Sequence, residues 1–111
     1  MRPTTPLAQV MLTLAAEVPQ RLFLYIGGVD IHRLDAYLLG YERALSDLGQ
    51  PDAALGDFCR WLRDVKKEHP GEGWPTYFLN SAGGNQVAAL TAFLQRVNEY
   101  FGVTDGNSIP L

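Results

Sequence analysis

At 111 residues, with 47% hydrophobic and 19% charged side chains, the chain has room for one cored domain and is too apolar for disorder. Nine basic residues against twelve acidic ones leave a formal charge of −3, a balance that argues against a nonspecific grip on nucleic acid. The single cysteine, Cys59, rules out an internal disulfide and a thiolate zinc site, and fits a reducing, cytoplasmic setting. No segment approaches the roughly 20 apolar residues a membrane span needs. The start, Met1 to Pro6, lacks a signal-peptide layout, because the apolar stretch after it is short and broken by Thr13 and Glu17.

Thr5 is placed to cap a first helix, with Pro6 preset for its first position. Leu7, Val10, Met11, Leu14 and Val18 follow at helical spacing, and Pro19 is the expected stop. Periodicity leaves Leu22 to Ile26 open between a short strand and a buried helical turn. After Gly27-Gly28, Asp30 caps a second long helix whose stripe is Ile31, Leu34, Leu38, Tyr41, Leu45 and Leu48, with Gly49 and Pro51 as the stop.

Asp52 is expected to cap a third helix. Its seam is Leu55, Phe58, Leu62 and Val65, and its outer face carries Asp57, Arg60, Asp64 and Lys67 at pairing distance. His69-Pro70-Gly71 closes it. Trp74 to Leu79 reads as one or two helical turns started near Pro75. Asn85 caps the last helix, with Val87, Leu90, Leu94, Val97 and Phe101 widened by Phe93 and Tyr100, and Gly102 ends it. The pattern predicts an all-α fold: a compact bundle of four long helices plus one short helix, in a single domain. The core spans about residues 5–102, and 103–111 form a loose tail.

Few residues offer chemistry. Gly27-Gly28 lacks both the dinucleotide and the phosphate-loop patterns, so it reads as a turn. Asp30, His32 and Asp35 lie close together, but no second ligand pair accompanies them, since the only other histidine is His69. Cys59 has no evident base and reads as a small buried hydrophobe. Accordingly, no catalytic, cofactor-binding or metal-binding residue is expected. The rival reading is a small-ligand-binding or enzymatic domain built on His32 and the aromatic cluster Trp61, Trp74, Tyr77 and Phe78.

Two features of the second helix point outward. Ala36, Gly40 and Ala44 recur every four residues, a stripe of small side chains that packs inside the domain against the first or last helix, or receives a partner helix. A partner helix there would make the chain a homodimeric structural module. Asp35 and Glu42 are seven residues apart on the polar side and so point the same way. They are expected to meet Lys or Arg of a protein partner.

The stretch Leu24 to Tyr41 carries Tyr25-Ile26-Gly27, a helix, then Gly40-Tyr41. Phe58-Cys59-Arg60-Trp61-Leu62, then Trp74, then Phe93-Leu94 through Tyr100-Phe101 follow. In these positions residues 20–101 resemble a loose group of small bacterial helical proteins, some of which look like immunity proteins of contact-dependent or polymorphic toxin systems. Pro19-Gln20-Arg21-Leu22-Phe23 stands where that group typically has an Arg-Pro-x-Met lead-in. The resemblance implies a non-enzymatic binder of a cognate toxin, with no catalytic residues to carry over.

Overall fold

The computed structural model describes residues 5–69 and 71–102; the anticipated tail at 103–111 and Pro70 of the His69-Pro70-Gly71 closure lie outside the described residues. Every regular element among them is helical: α1 (Pro6–Ala15), α2 (Phe23–Ile26), α3 (Ile31–Asp47), α4 (Ala54–Trp61), α5 (Trp74–Ser81) and α6 (Gln86–Tyr100). The all-α expectation holds, whereas the anticipated inventory of four long helices and one short one does not. The open segment from Leu22 closes as the single turn α2, and α4 and α5 have eight residues each.

Local chemistry explains most boundaries. Thr5 Oγ1 accepts the Ala8 N–H at 3.2 Å and Pro6 fills the first turn. α1 stops at Ala15, short of the expected end at Pro19. The residue before a proline avoids α-helical dihedrals, and Val18 is extended (ψ 144°); Pro19 then opens a 3₁₀ turn, Pro19–Arg21. Gly27 (φ +80°) ends α2, its N–H bonded to the Phe23 carbonyl at 3.0 Å. Asp30 caps α3 as expected, its carboxylate accepting the N–H groups of His32 and Arg33 at 2.8 and 3.1 Å. Asn85 does the same for α6, accepting the Ala88 N–H at 2.9 Å.

Three expectations need correction. Asp52 is not the cap of the third helix: Ala53 holds that position without a side-chain cap bond, and Asp52, one residue earlier, accepts the Ala54 N–H at 3.0 Å. Leu48 lies beyond the end of α3 and is 73% exposed, so the buried stripe of that helix stops at Leu45. Val65 is 64% exposed rather than part of the third seam. After Trp61 the helix widens into a π-helical turn, Leu62–Lys66, ending at the left-handed Lys67. The i→i+5 winding rotates each residue less than an α-helix does, so Val65 turns out of line with Leu55, Phe58 and Leu62.

The core runs through all six helices. Leu7, Met11 and Leu14 of α1 meet Leu34 and Leu38 of α3, Phe58 of α4, and Leu90, Phe93 and Val97 of α6. Trp74 stacks on Phe93 at 4.1 Å between centroids, with Phe58 and Phe78 edge-on to the same ring. This packing places the N-terminal end of α5 across α3 and α4 and fixes the walls of the groove described next.

Candidate functional site

α3 presents three different sides. Ile31, Leu34 and Leu38 face the core; Tyr37 and Tyr41 face α1; Asp35, Leu39 and Glu42 face α4 and α5. That third side forms one wall of an open groove of about 280 Å³. Leu55, Gly56 and Cys59 of α4 form the opposite wall, while Trp74 and Pro75, with His69 and Gly73 ahead of them, close one end. Trp74 and Leu55 are only 3% exposed, so they make a firm apolar floor, whereas Leu39 is 48% exposed and stands up from the edge.

The two carboxylates are distinctive because neither forms an ion pair or hydrogen bond among the described residues. Eight of the eleven described Asp and Glu side chains cap a helix, hold buried backbone N–H groups, or pair with a cation or a hydroxyl. Among the described residues Asp35, Glu42 and Glu72 make no hydrogen bond or ion pair, and the first two line this groove. Burial raises the Asp35 carboxyl above its ordinary range, with the His32 and His69 imidazoles partly opposing the rise. The sequence expectation that Asp35 and Glu42 share a direction is met. Their setting is half-buried beside apolar side chains rather than a fully solvated polar face.

The other singled-out residues fall elsewhere. Ala36, Gly40 and Ala44 are all exposed on the far side of α3, away from the groove. A Cβ built at Gly40 meets nothing within 4 Å. Packing of this stripe inside the domain is therefore corrected: α1 and α6 contact α3 through its core stripe, and the small residues face outward. His32 is exposed on the first turn of α3, with Nε2 3.4 Å from the Thr76 hydroxyl. Trp61 stacks on Phe58 and is overlain by Lys66, away from Trp74's end of the groove. Trp74 alone of the aromatic cluster lines the groove, and it does so as floor.

Cys59 also lines the groove, but its thiol is pushed up to about 11, first by burial and then by the charges of Asp35 and Glu42. A hydrogen bond with Trp74 offsets this only in part. The thiol stays protonated near neutral pH and is a poor nucleophile. Among the described residues no group of three or more His, Cys, Asp and Glu side chains is placed to hold a metal ion, and no helix is long and apolar enough to cross a membrane.

Periodicity missed the groove's floor. Leu55 and Trp74 read as ordinary core, which they also are, and Gly56 carries no sequence signal. Leu39 was the available clue, an apolar residue set between Asp35 and Glu42 outside the leucine stripe. A second hollow of about 310 Å³, with Val10, Leu14, Tyr25, Tyr37 and Tyr41 in its lining, lies between α1 and α3. Its lining carries no ionised group. No family model, curated protein or solved structure matches this chain.

Proposed function

We propose that this chain is a non-enzymatic protein-binding domain that covers a basic surface of its partner with the α3–α4–α5 groove. The observation that carries this reading is the pair Asp35 and Glu42, carboxylates without an ion pair among the described residues, flanking the exposed Leu39 over an apolar floor. Charge without an ion pair beside accessible apolar surface costs the isolated chain stability, and a cationic, partly apolar counterpart would relieve both costs at once. The raised Cys59 thiol and the exposed, lone His32 offer no acid–base or nucleophilic arrangement that competes with it. The resemblance of residues 20–101 to immunity proteins makes a cognate toxin the proposed partner, held by stoichiometric occlusion in the cytoplasm.

The test is to titrate the product of the neighbouring reading frame into isotopically labelled protein and follow backbone amide shifts. Saturable changes centred on residues 35, 39, 42, 56 and 59 are expected. Changes confined to the tyrosine-lined hollow or to α6 would reject the groove, and no binding would reject the toxin partner.

A further inference from the structure

We infer that the groove receives an amphipathic helix of the partner that carries two basic residues seven positions apart with an apolar residue midway between them. The inference rests on the protein-binding reading and deepens it by fixing the shape of what binds. Asp35 and Glu42 are separated by seven residues of helix, so along the axis of α3 they stand about 10 Å apart, with Leu39 between them. One ammonium or guanidinium group cannot serve two carboxylates at that separation, so two cations are required. In an extended strand, side chains on one face repeat about every 6.6 Å, giving pairs at roughly 7 or 13 Å but none at 10 Å. A helix places positions i and i+7 on one face about 10 Å apart, with i+3 and i+4 between them. The acidic–apolar–acidic edge of α3 is thus matched in length and sign by a basic–apolar–basic edge on a second helix lying along it.

The opposite wall is low at one point. Gly56 lines the groove from α4 and a Cβ built there meets nothing within 4 Å, so a neighbouring backbone can come close at that point. Leu55 and Trp74 beneath it supply the apolar floor for the midway residue, and Leu39 covers its flank.

Three dye-labelled peptides of equal charge and matching composition test this with the full chain, read by fluorescence anisotropy. The first is a stapled helix with Lys at i and i+7 and Leu at i+3 and i+4. The second is the same staple with the lysines at i and i+5, on different faces. The third is a β-branched, extended peptide with lysines at i and i+4. The first is expected to bind at least tenfold more tightly than the others. That preference should vanish in Asp35→Lys/Glu42→Lys and in Gly56→Leu, which adds bulk to the α4 wall at a point where a Cβ meets nothing within 4 Å and should keep the melting temperature. Equal binding of the two helical peptides, tighter binding of the extended one, or no binding by any of them would overturn the helical pattern. If the natural partner's association is nonetheless weakened by the charge-reversed variant, the protein-binding reading stands and only the shape of the ligand falls.

Discussion

Asp52 ties two helix starts together: its Oδ2 accepts the Leu7 N–H at 2.9 Å while its Oδ1 accepts the Ala54 N–H at 3.0 Å, with the Thr5 hydroxyl also donating to Oδ1 at 2.9 Å. It is 8% exposed, and one carboxylate serves the first turns of both α1 and α4. Burial alone would raise its pKa, but the three hydrogen bonds outweigh that and hold it below the ordinary carboxylate value. Asp52→Ala should therefore cost about 1.5–3 kcal/mol, as hydrogen bonds to a charged, buried acceptor do. Because the folded-state pKa lies below the unfolded one, this contribution is complete above about pH 5 and is lost as pH falls through the folded value. Denaturant midpoints at pH 7 and pH 3 test both statements. A variant that melts with the natural protein at pH 7 would show that the bridge contributes nothing.

Gly40 faces open solvent in the middle of α3, so nothing in the fold requires its missing side chain. Gly40→Ala should stabilise the chain by about 0.5–1 kcal/mol through helix propensity alone. Even Gly40→Leu should leave the melting temperature intact, a reversal of what a packed small-residue stripe would require. Destabilisation of either variant would mean that the stripe is covered, and sedimentation of the natural protein would then show a dimer.

Asp35 titrates in the opposite sense to Asp52. Its pKa is raised by burial against the weaker pull of His32 and His69, with Glu42 and Cys59 on the same groove. The folded chain thus holds the Asp35 proton more tightly than the unfolded one, and stability falls as pH rises through the folded value. Asp35→Asn should be more stable than the natural protein at pH 7, with the gap closing towards pH 4. A variant less stable at pH 7 would show that Asp35 has a stabilising partner after all.

The fold was legible wherever the signal was local. Thr5, Asp30 and Asn85 announced three helix starts by their capping chemistry, and the stripes of α3 and α6 named most of the core. What was not legible depended on a rotation or on several elements at once. Val65 fits the seam of α4 on any count of three and four, and only the π-turn after Trp61 turns it outward. The small-residue stripe lies well round α3 from the core stripe, and α1 and α6, which approach that core stripe, leave it exposed. For the groove, the spacing of Asp35 and Glu42 was readable, but its floor is built from α4 and α5, whose placement no single helix's periodicity contains.

The central claim is that Asp35 and Glu42 guide a basic partner into the groove, and it is tested most directly by the association rate as a function of ionic strength. Stopped-flow mixing with the product of the neighbouring reading frame, comparing the natural protein with Asp35→Lys/Glu42→Lys, reports that rate. The natural protein should associate faster at low salt and slow steeply as salt screens the charges. The double variant should associate at least about tenfold more slowly at low salt, a modest share of what electrostatic steering can supply, and show a flat or inverted salt dependence with an unchanged melting temperature. Superimposable rate–salt curves for the two proteins would contradict the account.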